Sequence, residues 1–299
     1  MEIQTNLEVH MKKDVKAEIT AQLVEMITAS QADGSDWTMP FRSLYCAPHN
    51  PVTGKKYRGM NAFWLGLMGQ HTVAGYGQWF DAGWQVQKGS KSILITMPMI
   101  GKDKKTGEKT MFGFRGGRVF SSSDVLNIET GEPWVSPELP TVDLTVRLAN
   151  ADLYLSNLGA NVVHTGEGRA CYTPSLDRIT MPHRELFIDT GTSTATENYY
   201  STSGHEHAHW TGHKSRLDRL ELKNTRGYAF EELVADISAA FLCSQLDISS
   251  SPREDHAQYL ASWLKALGND NDYIFKAASE AQKVVDFMDQ LQLPAVEAA

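Results

Sequence analysis

The stretch Gly204-His205-Glu206-His207-Ala208-His209-Trp210-Thr211-Gly212 contains the pattern His-Glu-X-X-His, with His205 and His209 four residues apart. On an α-helix, these two positions lie one above the other on the same face. Two neutral imidazoles there can bind one Zn²⁺ through their ring nitrogens. Glu206 then lies close enough to take a proton from a water that the metal activates for attack on a peptide carbonyl. The stretch therefore predicts a zinc-dependent peptidase site on a helix.

A β-strand is the alternative conformation for this stretch. His205, His207 and His209 alternate, so a strand would place all three on one face and the glutamate on the other. The helix is favoured because residues Thr194 to Trp210 contain no proline and no β-branched run, and Gly212 stands where a C-cap would. In a helix, His207 lies about 200° around the axis from His209, so it is predicted to pack or be solvated rather than to bind the metal.

A third metal ligand is sought in the segment Tyr228–Leu242, whose apolar residues have helical spacing. Glu232 and Asp236 are four residues apart and share a helix face beside the apolar stripe, whereas Glu231 is predicted to point elsewhere. Acids on such a face need a partner, because a buried unpaired charge is costly. We predict that Glu232 is the third ligand and that Asp236 accepts a hydrogen bond from a ligand histidine. The reverse assignment stays open, as does a structure in which both acids only pair with Arg or Lys.

Two further positions bear on the class of site. In the metzincin pattern a third histidine stands six residues after His209, but Ser215 occupies that place, so this class is disfavoured. Tyr228 is a candidate for stabilising the oxyanion that forms during hydrolysis. The sequence does not distinguish Zn²⁺ from Mn²⁺, because two imidazoles and a carboxylate accept either ion.

The chain of 299 residues is long enough for two domains, since single cores usually stop growing at about 250–300 residues. No apolar run reaches about 18 residues, so we expect no membrane span. The charged segment Met1–Lys16 lacks the apolar run of a secretory signal. Cys46, Cys171 and Cys243 are few and far apart, which is typical of buried thiols in a reducing cytoplasm.

Charge is distributed unevenly along the chain. The formal net charge is −8, but residues 42–118 contain twelve Lys/Arg and three Asp/Glu, a net charge of +9 that leaves −17 for the rest. This asymmetry predicts a basic module that binds a polyanion. The same region is rich in aromatic residues, and proteins bind single-stranded DNA with cations along the phosphates and rings stacked on bases. Most of these rings are expected in the core, so the basic excess is the stronger signal. The candidate DNA-binding residues are Lys55, Lys56, Tyr57, Arg58, Trp79, Trp84, Lys88 and Lys91.

Beyond these patterns, the chain resembles the ArdC-type antirestriction proteins of plasmids and phages over nearly its whole length. In the first half, the resemblance rests on Trp37 with Pro40, Asn50-Pro51, Thr53–Asn61, Gly75-Tyr76, Trp79 and Gln87–Lys91. In the second half, it rests on Tyr172–Pro182, His205–His213, Phe230–Asp236 and Ala261–Lys265. It implies an N-terminal single-stranded DNA-binding domain, a C-terminal zincin-like metallopeptidase domain, and protection of incoming DNA from host restriction during transfer. Asp236 stands where these proteins more often have glutamate, and its shorter side chain makes it the less suitable ligand.

The predicted fold class is α+β, with an N-terminal nucleic-acid-binding domain at residues 1–130, a linker at 131–142 and a zincin-like domain with a small sheet at 143–299. Helices are predicted at Lys13–Ser30, Asn61–Gly69, Val142–Leu158, Gln258–Leu267 and Tyr273–Gln290. Strands are predicted at Ser92–Ile100, Lys109–Phe120, Asn161–His164, Ala170–Thr173 and Asp177–Met181. The Pro/Gly/Glu-rich segment Asn127–Pro137 is interpreted as part of the linker.

The expected function is that of a cytoplasmic antirestriction protein of a mobile element, which binds single-stranded DNA and carries a zinc-dependent peptidase-like site for which a possible protein substrate is unidentified. His205, His209 and Glu232 would hold the metal, and Glu206 would act first as general base and then as general acid. Two other functions stay open. One is a non-catalytic protein that coats single-stranded DNA and has a structural or vestigial metal site. The other is an ordinary host peptidase whose first module binds an acidic partner instead of DNA.

Overall fold

The computed structural model describes residues 14–32, 47–103, 106–136, 144–190, 193–220, 225–248 and 270–292. In these ranges the helices are α1 Val15–Ala32, α2 Gly59–Leu67, α3 Tyr76–Asp81, α4 Leu144–Asn157, α5 Ala195–Thr211, α6 Thr225–Gln245 and α7 Tyr273–Gln290. The strands are β1 His49–Asn50, β2 Lys55–Lys56, β3 Val73–Ala74, β4 Trp84–Val86, β5 Ile93–Lys102, β6 Lys109–Ser121, β7 Val125–Asn127, β8 Asn161–Thr165, β9 Cys171–Thr173 and β10 Arg178–Pro182. The predicted α+β class is confirmed, while the predicted helix Gln258–Leu267 lies outside the described residues.

The first module contains a long antiparallel hairpin formed by β5 and β6, which include the strands predicted at Ser92–Ile100 and Lys109–Phe120. Strand β3 pairs with the C-terminal end of β6, which gives a three-stranded sheet of order β3-β6-β5. The base of the hairpin packs into the core, where the indole of Trp64 in α2 donates a hydrogen bond of 3.1 Å to the carbonyl of Leu94. The side-chain amide of Asn61 donates to the carbonyl of Thr96 and accepts a hydrogen bond from the backbone N–H of the same residue. These contacts fix α2 across the base of the hairpin.

Part of the segment predicted as a linker packs onto the first module instead. Strand β7 pairs with β4, and the ring of Trp134 lies 5.2 Å from that of Trp79 and 4.7 Å from that of Trp84. These rings and Val125 form a small second core. Composition alone marked Asn127–Pro137 as linker because of its prolines and glycine, but the partly buried ring of Trp134 attaches this otherwise exposed segment to the small core.

The two halves of the chain share one hydrophobic cluster. Buried residues of α1, α2 and β5 belong to the same cluster as those of α4 to α7. Helix α7 contacts both α2 and α6. Polar contacts reinforce this packing: Lys16 pairs with Asp272 at 2.6 Å, and the backbone amide of Gly59 donates to Gln282 at 2.9 Å. The last described helix therefore connects the basic module to the helix that carries the acidic candidates.

The second module places its helices beside a small sheet of order β8-β10-β9, in which β8 is parallel and β9 antiparallel to β10. Helix α5 starts at a capping box, where Thr194 and Glu197 each satisfy the backbone amide of the other. It ends before Gly212, as the sequence predicted. Gly204 faces Leu242 and Ala239 of α6, and a Cβ atom there would make an ordinary van der Waals contact of 3.4 Å with Leu242. Within the described ranges, no helix has the length and apolarity needed to cross a membrane.

Candidate metal centre

The contact between α5 and α6 brings His205, His209 and Glu232 together. The two Nε2 atoms of the histidines lie 3.0 Å apart. The Glu232 carboxylate lies 3.5 Å from Nε2 of His205 and 3.4 Å from Nε2 of His209. Thus α5 supplies the two imidazoles from one face, and α6 supplies the carboxylate opposite them. His205 and Glu232 are buried, and His209 is half-buried.

Two further carboxylates orient the imidazoles. Nδ1 of His205 donates to Oδ1 of Asp236 at 2.7 Å, and Nδ1 of His209 donates to Oε1 of Glu231 at 3.1 Å. A histidine whose Nδ1 carries the donated proton presents its Nε2 lone pair on the other side of the ring. Both Nε2 atoms therefore converge on the space beside Glu232. This is the arrangement by which carboxylates usually orient metal-binding histidines.

Glu231 corrects the sequence interpretation, in which this side chain pointed elsewhere. It is buried, and both of its oxygens accept hydrogen bonds from Arg219 at 2.9 Å in addition to the bond from His209. Arg219 also donates to the carbonyl of Ala208 at 2.6 Å and to the hydroxyl of Thr211 at 3.0 Å. The loop after α5 thus folds back and supplies a cation to the site. Helical spacing did not predict this because Arg219 lies outside both helices.

The buried histidines and carboxylates of the site shift one another's pKa values. Burial disfavours the imidazolium, but Asp236 and Glu232 raise the pKa of His205 above its ordinary value. Against the same burial, Glu231 and Glu232 raise the pKa of His209 to about 10. Burial would raise the pKa of Glu232, yet the two histidines hold it well below its usual range. A proton on the His209 imidazole therefore compensates part of the buried negative charge.

The donor set fits a divalent cation. One atom each from His205, His209 and Glu232 lies within 4.8 Å of the others. The distances of 3.0–3.5 Å between these donors are close to the roughly 3.3 Å edge of a tetrahedron with ligand bonds of about 2.0–2.1 Å. The site also holds four buried carboxylates, Glu206, Glu231, Glu232 and Asp236. Arg219 pairs with one of them, so a divalent cation would offset buried negative charge that this guanidinium leaves uncompensated.

The remaining candidates of this region occupy different positions. Glu206 is buried on α5 next to His205. His207 packs inside the protein on the opposite side of the helix, where Nδ1 donates to the carbonyl of Ser203 at 2.7 Å. Tyr228 is 42% exposed and lies on α6 one turn before Glu232, so it shares the face of that helix with the third donor.

The candidate DNA-binding residues separate into two groups. Trp79 is fully buried and donates its indole N–H to the carbonyl of Phe120 at 3.0 Å, so its ring is not available for stacking on a base. Trp84 is partly buried beside Trp134. Tyr57 packs against the main core with its hydroxyl donating to Val73, and burial raises its pKa. Most aromatic side chains of the predicted set are therefore structural.

The basic candidates lie on the surface. Lys55, Lys56, Lys88 and Lys91 are exposed. Arg58 is also exposed, but its guanidinium is engaged by Asp286 of α7 at 2.6 Å. It therefore contributes to the contact between the two modules. Its position in sequence beside two lysines gave no indication of this ion pair, because Asp286 is distant along the chain.

Comparison with known proteins agrees with the two-part organisation. Residues 13–120 match the model of the N-terminal domain of anti-restriction factor ArdC, and residues 149–280 match that of a zincin-like metallopeptidase. The crystal structure of the antirestriction protein ArdC from plasmid R388, in its metal-free form, superimposes with a TM-score of 0.70 at 30% identity, over 93% of this chain and 98% of that one. The chain belongs to the ArdC-type antirestriction family.

Other relatives of this ArdC-type chain differ in length. The Mn(II)-bound structure of the R388 protein gives a TM-score of 0.72 at 30% identity, over 95% of this chain and all of that one. An uncharacterized protein of Sinorhizobium fredii, y4eC, is 33% identical over 92% of this chain and 91% of its own length. The DNA primase TraC of Escherichia coli is 34% identical over 93% of this chain, which spans only 27% of that protein. The ArdC-type unit thus occurs alone and within a longer DNA-processing protein.

Proposed function

We propose that this protein binds single-stranded DNA through its basic first module and hydrolyses peptide bonds at the metal centre, and that it thereby protects incoming DNA from restriction. The observation that carries the proposal is the convergence of the two Nε2 atoms on Glu232, with each Nδ1 held by its own carboxylate. Such oriented donors are what a catalytic His₂Glu site requires. We propose Zn²⁺ as the ion, and Mn²⁺ fits the same donors.

The chain supplies the acid–base groups of the reaction. His205, His209 and Glu232 would hold a divalent cation, which when bound polarises a carbonyl and lowers the pKa of water. The carboxylate of Glu206 accepts a proton from the attacking water and later donates it to the nitrogen of the leaving amine. Tyr228 can donate its hydroxyl proton in a hydrogen bond to the developing oxyanion. Asp236 and Glu231 keep the histidines in the required tautomer.

The DNA part of the proposal rests on charge and on family membership. The exposed lysines 55, 56, 88 and 91 lie in the part of the chain with a net charge of +9. A polyanion is the natural partner of such a surface. The R388 protein is an antirestriction protein by its name, and TraC is a DNA primase by its name. A role at transferred DNA accounts for both kinds of relative.

A second function is favoured by the burial of the site. His205, Glu206 and Glu232 are all buried in the described structure, whereas a catalytic centre must admit its substrate. In this alternative the metal is structural or vestigial, and coating of single-stranded DNA alone provides protection. The two functions assign different roles to Glu206. In peptide hydrolysis it is the general base, whereas in DNA coating it is only a buried neighbour of a metal ligand.

The test compares the wild type with Glu206→Gln and His205→Ala. Transfer of unmodified DNA into a restricting host is measured together with metal content and cleavage of unfolded casein as the probe. The proposed function predicts that Glu206→Gln keeps its metal and its DNA affinity but loses cleavage and protection. Protection that persists in Glu206→Gln would support the DNA-coating alternative. Wild-type protein that binds no DNA would contradict both.

A further inference from the structure

The outer half of the β5–β6 hairpin exposes a group of large apolar side chains. We call residues 97–102 and 109–115 the exposed arm. Its large apolar members range from 37% to 65% exposed, and they are Met97, Met99, Ile100, Met111 and Phe112. Soluble proteins seldom leave such side chains grouped on a projecting element unless they contact a partner. At about 3.3 Å per residue, strands of this length carry the arm well beyond the core that holds Leu94 and Ile95.

A bulge directs the aromatic ring of the arm. Met99 pairs with Gly113 and Ile100 pairs with Met111, so Phe112 is the extra residue between two successive pairs. Side chains alternate along β5, and cross-strand partners share a face, so Met97, Met99 and Arg115 lie on one face of the arm. The ring of Phe112 joins this face because it contacts Gly101. Bulges often redirect a side chain at a functional surface.

Two glycines make this apolar face possible. A Cβ atom on Gly101 would lie 2.7 Å from the ring of Phe112, and one on Gly117 would lie 2.7 Å from the sulfur of Met97. The ring and the thioether therefore lie against the backbone of the opposite strand, where another residue would displace them. The result is an exposed face with one ring and two thioethers beside a guanidinium.

The charge of the arm indicates its partner. From Met97 to Arg118 the sequence contains six Lys/Arg and two Asp/Glu. Lys102, Lys109 and Arg115 are exposed, and among the residues with described positions none of them forms an ion pair. Flat apolar groups bordered by uncompensated cations suit a strand of unpaired bases with its phosphates. Two copies of the arm would bring like charges together, which disfavours self-association.

We propose that the face formed by Met97, Met99, Phe112 and Arg115 stacks on unpaired bases of DNA, while Lys102 and Lys109, which pair with each other at the outer end of the arm, contact phosphates beyond that end. The inference rests on the proposed function, because it takes single-stranded DNA as the ligand. It assigns the base contacts to a surface different from the buried Trp79 and the partly buried Tyr57. The proximal half of the hairpin, packed on α2, serves as the rigid base of the arm.

The test measures binding of the full-length protein to a fluorescent oligothymidine of about 16 nucleotides over a range of salt concentrations. Phe112→Ala is expected to weaken binding roughly tenfold, with an unchanged slope of log K against log[salt]. The double variant Lys102→Ala/Lys109→Ala is expected to lower the slope by about 1.4, since each lost phosphate contact removes about 0.7. Gly101→Ala retains Phe112 but adds a Cβ atom that displaces its ring. This variant is therefore expected to weaken binding as Phe112→Ala does.

Matched controls lie on the other module. Leu153 on α4 is as exposed as Phe112, and Lys283 on α7 is an exposed lysine, so Leu153→Ala and Lys283→Ala should leave affinity and slope unchanged. Wild-type binding that none of the arm variants alters would overturn the inference and leave the proposed function standing. Absence of wild-type binding would overturn both. Arm variants that keep their DNA affinity but lose self-association would overturn the inference in favour of a second copy of the chain. Arm variants that keep their DNA affinity but lose binding to anionic phospholipid vesicles would overturn it in favour of a membrane surface.

Photochemical crosslinking gives a second readout that does not depend on a variant folding. Oligothymidine containing 5-iodouracil is irradiated with the wild-type protein, and the crosslinked peptides are identified by mass spectrometry. The inference predicts crosslinks within residues 97–115, with Phe112 among the modified positions. Crosslinks confined to the regions around Lys55 or Lys88 would place the bases elsewhere and contradict it.

Discussion

The Nδ1 atom of His205 donates a 2.7 Å hydrogen bond to Oδ1 of Asp236, across the contact between α5 and α6. This bond fixes the imidazole with Nε2 toward Glu232, so it should set the affinity of the site for its metal. We expect Asp236→Asn to weaken metal binding about 10–100-fold, because a neutral amide holds and polarises the imidazole less well. Titration against a fluorescent metal chelator measures the change. Asp286→Asn removes a surface partner of Arg58 and is the matched control; equal losses in both variants would contradict the assignment.

The pair of Arg219 and Glu231 is expected to stabilise the fold even without metal. Both side chains are buried, and removal of the guanidinium leaves the Glu231 carboxylate with His209 as its remaining partner. We expect Arg219→Met to lower the free energy of unfolding of the metal-free protein by about 3–5 kcal/mol, as measured by urea denaturation. Arg58→Met breaks an exposed pair and should cost no more than about 1 kcal/mol. Similar small losses in both variants would show that Glu231 is solvated.

Metal binding should depend on pH through His209. Without metal its pKa is raised to about 10, so at neutral pH this imidazole carries a proton that the cation must displace. A group with a raised pKa is protonated below that value, and therefore the apparent metal affinity should increase as pH rises from about 6 to 8. Isothermal titration in buffers of different ionisation enthalpy counts the protons released. An affinity independent of pH, with no proton release, would contradict the balance of charges described for the site.

Trp79 should affect stability and not DNA affinity. Its ring is fully buried against Trp134, so Trp79→Ala is expected to cost about 3–5 kcal/mol of unfolding free energy. Trp79→Phe keeps most of the ring volume and should retain wild-type affinity for oligothymidine. Thermal unfolding and fluorescence anisotropy on the same samples separate the two effects. Reduced DNA affinity in Trp79→Phe at unchanged stability would show that the indole contacts DNA.

Helical spacing predicted much of the candidate centre. His205 and His209 share a face of α5, and Glu232 and Asp236 share a face of α6, because residues four apart lie one above the other. Spacing along one helix does not predict a residue that arrives from a loop. Arg219 comes from the chain after α5, and Glu231 joins the site only because this guanidinium and His209 both reach it.

The first module was harder to interpret from sequence. Aromatic rings have the same spacing whether they are buried or exposed, and only the fold places Trp79 and Trp134 in a core while leaving Phe112 outside. The pairing of Arg58 with Asp286 likewise could not be predicted from the sequence, since the two residues meet only when α7 packs on α2. Patterns therefore predicted the elements and the charge, whereas long-range packing decided which of the basic and aromatic residues remain accessible.

The most direct test of the metal centre is the metal content of the purified full-length protein, measured by inductively coupled plasma mass spectrometry after dialysis. The donor set of His205, His209 and Glu232 predicts about one divalent ion per chain in the wild type. It predicts that His205→Ala and Glu232→Ala each lose nearly all of this ion, while His207→Ala retains it. A wild type without bound metal, or a His205→Ala variant with full metal content, would contradict the assignment.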